Sequence, residues 1–461
     1  MRNYLQSLLR DKRVLILGYG REGKSTLHFL TTIDHNADIT IADNNENAFR
    51  NDQLVKESGV RLISGDNYLN DAANYDIIIK SPGIAINKIQ DKLNHVTITS
   101  QTDLFLTVYG KQVIGVTGTK GKSTTSSLIY HILKNYTSTL FGGNIGLPLF
   151  ELVDLVKKDT KIVCELSSHQ LEFATHSPHI AILLNLYQEH LDHYNSYLDY
   201  QKAKYNIALY QDSNDYFIYP HDDENINALI TNHVSKGEKL PVFQDEFNGS
   251  GIGIKDNEVI IKTSNSTIKV LPTIFKLNLI GEHNRNNAII AASVAALTGV
   301  PSNIISDAIS SFQALEHRLE FIGIFNDAFF YNDSISTIPE ATIAAIESLK
   351  PVDTIILGGF DRGIDYSQLT DYLVKSGIKY IVATGPAGKH IFELLKERSS
   401  NENLYYFDKF DDCVNKAIAL TPKNGVCLLS PAASSYNEFV NFEYRGRRFR
   451  ELVIQHSTLK D

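Results

Sequence analysis

Gly115-Val-Thr-Gly-Thr-Lys-Gly-Lys-Ser-Thr-Thr125 is the stretch that decides the fold. It follows an apolar strand pattern, KQVIGV at 111–116, and opens a helical one, STTSSLIYHIL at 123–133. Strand, Gly-rich loop and helix in that order make a phosphate loop. Small residues let backbone N–H groups converge on phosphates, and the helix N-terminus adds a favourable dipole. Lys122 can reach the β- and γ-phosphates, and the Ser123 hydroxyl can hold Mg²⁺. The strict GxxxxGK[ST] pattern would put glycine at 116, where this chain has Val116; Gly118 and Gly121 remain. A parallel α/β sheet around a nucleotide is therefore expected.

Upstream, VLILGY (14–19), ADITIAD (37–43), VRLIS (60–64) and YDIIIKSPG (75–83) alternate with helical stretches. Downstream of HRLE (317–320), DTIILGGF, KYIVATG, NLYYF and VCLLSP repeat the alternation. Helix–strand alternation of this kind predicts parallel sheets with helices on both faces. The fold class read from it is α/β in three domains: a Rossmann-like N-terminal domain (1–108), a P-loop ATPase-like central domain (109–314) and a Rossmann-like C-terminal domain (315–461). The segment 248–276 alternates in short pieces between Gly and Ser turns and reads as an antiparallel excursion within the central domain.

The chain has 461 residues, 43% hydrophobic and 21% charged, which is globular rather than disordered composition. Lys+Arg total 44 and Asp+Glu 53, a net −9, which disfavours sequence-independent nucleic-acid binding. Cys164, Cys413 and Cys427 form no CxxC pair, so neither a disulfide scaffold nor a zinc knuckle is supported. No apolar run is long enough for a membrane span or a secretory signal, and a cytoplasmic protein is expected.

Gly18-Tyr-Gly-Arg-Glu-Gly23 after the first strand fits GxGxxG, and Asp43 ends the next strand where a ribose-binding acid would sit. The same pattern also fits a tight helix–sheet turn. Glu165 ends the strand KIVCE, a place from which a carboxylate can bind Mg²⁺. Glu189, His190, Asp192 and His193 crowd the end of another strand, HIAILLNL, and read as a ligand cluster.

With those motifs in place the chain resembles the Mur ligases, the ATP-dependent amino-acid ligases of peptidoglycan precursor synthesis, and within them the glutamate-adding branch (the MurD type). The resemblance runs through GVTGTKGKSTT, GGNIGLP (142–148), ELSSHQLE (165–172), NLYQEHLDHY (185–194), YQKAK (200–204), GEHNRNNAIIAA (281–292), EHRLE (316–320), YNDSIST (331–337), LGGFDRG (357–363) and LLSPAASSYNEFVNFEYRGRRF (428–449). It implies substrates UDP-N-acetylmuramoyl-L-alanine and glutamate, with ATP as co-substrate and Mg²⁺ as cofactor. No nucleic-acid or membrane partner is implied, and a monomer is expected.

Residue by residue, the resemblance implies that Gly118, Thr119, Lys120, Gly121, Lys122, Ser123 and Thr124 hold the ATP phosphates, with Asn287 and Arg318 at the adenine nucleotide and Asp333 at its ribose. Ser123, Glu165, His190 and Lys204 would serve the metal, Lys204 as a carbamylated lysine. Lys122, His190 and Lys204 would be the catalytic set. Gly18, Gly20, Gly23, Asp43, Ser81, Gly83 and Asn144 would bind the UDP substrate. Thr337, Arg362, Ser435 and Phe442 would bind glutamate. A carboxylate is a poor electrophile, so the implied chemistry is transfer of the γ-phosphoryl group to the substrate carboxylate, then displacement of phosphate by the glutamate amine. Closure of the third domain would keep water from the acyl phosphate.

The chain departs from the family at Ile335, where the usual pattern has lysine, and at Ile338-Pro339-Glu340. D-glutamate is the default amino acid; a branch that adds L-glutamate is the alternative. Other readings are a folylpolyglutamate-synthase-like ligase, a non-catalytic nucleotide-binding module, and a nicotinamide dehydrogenase suggested by the Gly18–Gly23 loop alone.

Overall fold

The structure, a computed structural model, describes residues 1–461 except 46, 50–51, 190–192, 245–246, 248, 280–281, 314–315, 350, 399–401 and 459–461. The strands are β1 (Arg13–Leu17), β2 (Asp38–Asp43), β3 (Arg61–Ser64), β4 (Ile77–Lys80), β5 (Thr97–Thr99), β6 (Val113–Thr117), β7 (Thr139–Gly143), β8 (Lys161–Glu165), β9 (Ile180–Leu183) and β10 (Tyr216–Pro220). They continue as β11 (Glu238–Val242), β12 (Gly251–Lys255), β13 (Glu258–Lys262), β14 (Thr267–Pro272), β15 (Glu320–Phe325), β16 (Ala328–Asn332), β17 (Thr354–Gly358), β18 (Tyr380–Thr384), β19 (Leu404–Phe407) and β20 (Val426–Leu429). They form three sheets, ordered β3-β2-β1-β4-β5, β14-β13-β12-β11-β10-β9-β6-β8-β7 and β15-β16-β20-β17-β18-β19.

Two compact units result, Met1–Leu277 with His283–Phe312, and Asn278–Glu282 with Gln313–Asp461. The first unit carries two sheets. Its first sheet ends at Thr99 and its second opens at Val113, with the helix Gln101–Tyr109 between them. Ser100 caps that helix by accepting from the Asp103 amide at 3.1 Å. The two sheets share one apolar core: Leu5, Phe29 and Phe105 belong with Phe150, Ile162 and Leu171, and the Phe29 and Phe150 rings lie 5.0 Å apart. The boundary read near residue 109 falls between the two sheets, and the one read at 314–315 falls outside the described residues.

In the second sheet β6 and β9 are buried along their whole length, as parallel strands covered on both faces must be, which is why they read as continuous apolar runs. The antiparallel segment forms the sheet's edge: β11 pairs with β12 in parallel, and β12–β13–β14 then run antiparallel.

The second unit adds a feature the sequence reading passed over, a hairpin of β15 and β16. Asn326 and Asp327 at its turn both have positive φ (54° and 60°), the geometry of a two-residue primed turn. The Asn-Asp pair between FIGIF and AFFYN was the available signal. The rest of that sheet is parallel and puts Asp333, Gly358 and Ser430 just beyond or at the C-terminal ends of β16, β17 and β20. Gly358 turns with φ +107°, and a Cβ there would overlap the Thr384 carbonyl oxygen and crowd Gly388. Gly358→Ala should therefore cost about 2–4 kcal/mol from left-handed strain plus overlap, measured by denaturant unfolding; a loss under about 0.5 kcal/mol would contradict this packing.

Candidate functional site

The loop Gly118–Gly121 joins β6 to the helix Lys122–Leu133. Gly118 and Gly121 have φ of +148° and +85°, conformations that side chains resist. A Cβ on Gly118 would lie 2.9 Å from the Leu184 Cβ, so the missing glycine at 116 is tolerated because Val116 is still inside the strand. Asn185, after β9, accepts the Lys120 amide through Oδ1 at 2.8 Å and accepts the Thr119 amide on its carbonyl at 3.0 Å. The Thr119 hydroxyl bonds to Tyr200 Oη at 2.8 Å, and Lys120 Nζ is ion-paired with Glu189 at 2.7 Å. Ser123 and Thr124 are buried at the helix start, and the Asn287 carboxamide stands beside Gly121, 3.0 Å from where a Cβ would be.

Lys122 Nζ folds onto the loop and donates to the carbonyls of Gly118 and Thr119, both at 2.9 Å. Lys204, on the helix Tyr197–Leu209, donates to the same Gly118 carbonyl at 2.8 Å and is 2% exposed. Two ammonium groups on one buried oxygen repel each other. Burial first, then the charge of Lys122, push the Lys204 amine well below its ordinary range, with Glu189 and Glu165 opposing. The phosphate loop and Lys204 are thus drawn together from distant parts of the sequence.

Glu165 ends β8, next to β6 in the sheet. Its Oε1 accepts from Asn144 Nδ2 at 2.7 Å, while Oε2 is buried with no hydrogen-bond partner. A buried carboxylate oxygen left open beside a phosphate loop fits a divalent cation, for which oxygen is the preferred donor. His190 and Asp192 lie outside the described residues. Among the described residues no cluster of three or more His, Cys, Asp or Glu is arranged as a metal site. His193, read as part of the strand-end cluster, turns elsewhere: its Nε2 meets Glu172 Oε2 at 3.1 Å, and that carboxylate also holds Lys80 at 3.0 Å.

A cavity of about 380 Å³ lies at the C-terminal ends of β1, β2 and β4. It brings Gly18, Gly20, Asp43, Ser81 and Gly83 from the first sheet together with Asn144 after β7. Gly23 is not in its lining; a Cβ there would overlap the Gly18 carbonyl oxygen, so Gly23 serves close helix–strand contact. Asp43 accepts the Tyr19 amide at 2.6 Å and the Asn45 amide at 2.9 Å and so shapes the glycine turn. Sequence reasoning missed Glu22 and Gln170: Gln170 Nε2 donates to Glu22 Oε1 at 2.6 Å, and Glu22 lines the cavity. Gln170 and Glu172 stand in the quoted ELSSHQLE motif, whose length alone signalled more than one role.

In the second unit, Thr337 and Ser435 follow β16 and β20, Arg362 follows β17, and Phe442 opens the helix Phe442–Thr458. Arg362 Nη2 donates to the Thr337 carbonyl at 3.0 Å, and the Phe442 carbonyl accepts from Ser334 Oγ at 2.8 Å. Ser435 is 2% exposed. Arg318, expected at the nucleotide, has a buried Nε without a partner and stands between His317 and Leu319, both at positive φ. Asp333 accepts from Ser430 Oγ at 2.8 Å and from the Leu319 amide at 3.2 Å, and burial pushes its carboxyl up to about 6. Arg445, which sequence reasoning did not single out, is fully buried; its guanidinium donates to oxygens of Ser334 (2.9 and 3.0 Å), Ser434 (3.2 Å) and Gly358 (3.3 Å), tying three strand-end loops together.

Three family descriptions match this chain: Mur ligase MurD-like, N-terminal domain over residues 12–97; Mur ligase middle domain over 116–295; and Mur ligase, glutamate ligase domain over 317–433. The UDP-N-acetylmuramoylalanine–D-glutamate ligase of Ruminiclostridium cellulolyticum is 31% identical over 468 residues, covering 98% of this chain and 99% of its own. The ligase of the same name from Oceanobacillus iheyensis is 32% identical, covering 95% of this chain and 96% of its own. Among solved structures, the MurF ligase from Thermotoga maritima in complex with ADP superposes with a TM-score of 0.55 at 16% identity, covering 99% of this chain and 97% of that one. The phosphate loop, the acid at the neighbouring strand end and a match that runs the length of the chain lead to one conclusion: this chain belongs to the Mur ligase family.

Proposed function

We propose that this chain joins D-glutamate to UDP-N-acetylmuramoyl-L-alanine in an ATP-driven amide ligation of peptidoglycan precursor synthesis. In this reading residues 1–108 hold the UDP-sugar, 109–314 bind ATP and magnesium, and 315–461 hold glutamate. The relatives named above are D-glutamate ligases, which favours the D form over the L-glutamate alternative. The observation that carries the reading is the meeting of Lys122 and Lys204 on the Gly118 carbonyl, beside a Glu165 oxygen with no partner. A binding module needs a phosphate loop; it has no use for a second, buried lysine on the same loop carbonyl.

The chain's own residues divide the work. Loop amides and Lys122 bind the phosphates and balance the charge that moves as the γ-phosphoryl group passes to the substrate carboxylate. Neutral Lys204 adds CO₂: its nitrogen lone pair forms the N–C bond, a proton leaves, and the product is a carbamate anion. That converts a repelled cation into a ligand of the type Glu165 already supplies. Magnesium held by Ser123, Glu165 and the carbamate would spread the phosphoryl charge. Asn144, bonded to Glu165 and lining the substrate cavity, stands where the acyl end must meet the metal side. Arg362 offers a planar fork to a glutamate carboxylate where Ile335 offers nothing.

The assay that tests the function is phosphate release from ATP with UDP-N-acetylmuramoyl-L-alanine and either glutamate enantiomer. D-glutamate should support turnover; activity with L-glutamate alone would move the chain to the alternative branch. Lys122→Ala should stay folded and lose about 10²–10³ in rate, as other electrostatic transition-state contacts do; near-parental turnover would reject the loop assignment. Lys204→Ala should be inactive and partly restored by acetate, and vigorous activity without acetate would remove the carbamate. Arg362→Ala should raise the KM for glutamate about tenfold or more, with the KM for ATP and the UDP-sugar nearly unchanged. Equal shifts in all three constants would take Arg362 out of the amino-acid site.

A further inference from the structure

Lys80 ends β4 with its side chain 2% exposed, an expensive place for an ammonium group. It points at Glu172 Oε2, 3.0 Å away, with the carbonyls of Ser81 and Pro82 at 3.5 and 3.4 Å and the Phe173 ring at 5.4 Å. Ser81 and Pro82 are walls of the cavity read above as the UDP site. Glu172 follows the short helix Ser168–Leu171 and belongs to the middle sheet's side of the first unit. The same Glu172 oxygen receives His193, whose carbonyl in turn accepts from Asn87 Nδ2 at 2.7 Å. Tyr194, next in the chain, packs on Tyr200 at 5.7 Å, and Tyr200 bonds to Thr119 of the phosphate loop.

A buried ion pair contributes little net stability, because desolvating two charges offsets most of their attraction; an apolar pair of similar volume often does as well. The charges here do something an apolar pair would not. An ammonium beneath Ser81 and Pro82 draws their carbonyls inward and fixes which way the loop faces the cavity. Glu172 fixes where that loop stands relative to the segment that carries His193 and Tyr194. Burial pushes the Glu172 carboxyl up, but the His193 hydrogen bond and the Lys80 charge outweigh it and hold it below its ordinary range, so the acceptor is anionic at neutral pH.

We infer that Lys80 and Glu172 are positioning residues: the Lys80–Glu172–His193 triad sets the Ser81–Gly83 wall of the UDP-substrate cavity in register with the phosphate-loop side of the same unit. This rests on reading that cavity as the UDP site. Neither residue touches the reacting atoms; both act through the loop they hold.

The test separates position from charge balance. Lys80→Met and Glu172→Gln each leave a buried partner behind, and both should lower the melting temperature. The double variant removes both charges and should recover most of that loss. UDP affinity, measured directly by calorimetry, should fall about tenfold or more in both single variants and stay low in the double, since a misplaced wall costs binding even when no charge is stranded. Lys80→Arg keeps the pair and should bind UDP within about threefold of the parent. ADP affinity should not move in any of them. A double variant that binds UDP like the parent overturns the inference while leaving the ligase reading intact, as does a Lys80→Met that folds and binds UDP normally. A parent chain with no measurable UDP affinity overturns the reading of the cavity and the inference together.

Discussion

The Gly118 carbonyl accepts hydrogen bonds from both Lys122 and Lys204, and this shared acceptor constrains everything around it. One lysine opens the phosphate loop's own helix, and the other stands on the helix Tyr197–Leu209, far along the chain. Two cations cannot both be comfortable at 2.8–2.9 Å from one buried oxygen. The arrangement disfavours a proton on Lys204, whose amine burial and the charge of Lys122 push well below its ordinary range. That buried amine stands in the field of Glu165, whose Oε2 has no hydrogen-bond partner. The sheet order makes this possible: β6 lies between β8, which carries Glu165, and β9, which leads to Asn185 and Glu189, so three strand ends converge on one loop.

The other two sheets are built differently. The first shares its apolar core with the middle sheet, through contacts such as Phe29 on Phe150, and its cavity is closed by Asn144 from the middle sheet. This cavity and the phosphate loop are thereby parts of one compact unit. Thr337, Arg362, Ser435 and Phe442 belong to the second unit, built around its own cores, where buried Arg445 gathers the loops after β16, β17 and β20. A guanidinium that donates to backbone carbonyls organises loops without lending them a charge partner, and burial lowers its pKa to about 9.

Much of this was legible in the chain. Fully buried parallel strands announce themselves as apolar runs, and glycines at 118 and 121 announce a backbone that side chains would obstruct. Lys122 and Glu165 could be singled out from their local strand-end context, Lys204 only through the family resemblance. What could not be read is where partners converge. Lys80 looks like a strand-end lysine bound for solvent, yet its charge is buried against Glu172, ninety-two residues away. His193 looks like a metal ligand in a cluster of acids and histidines, yet it is committed to Glu172. Gly23 fits a ligand-binding pattern but supports helix packing, and Arg445 stands inside the quoted 428–449 motif with nothing local to show which loops its guanidinium holds. Each miss is a pairing set by tertiary packing, which sequence spacing does not encode.

The central claim is that the substrate carboxylate is activated by phosphoryl transfer before the amine attacks. Labelling that carboxylate of UDP-N-acetylmuramoyl-L-alanine with ¹⁸O and weighing the inorganic phosphate released during ligation tests it directly. An acyl phosphate carries one carboxylate oxygen away with the phosphate, so each phosphate released with product should contain one ¹⁸O. Phosphate that emerges unlabelled while amide product accumulates would contradict the account.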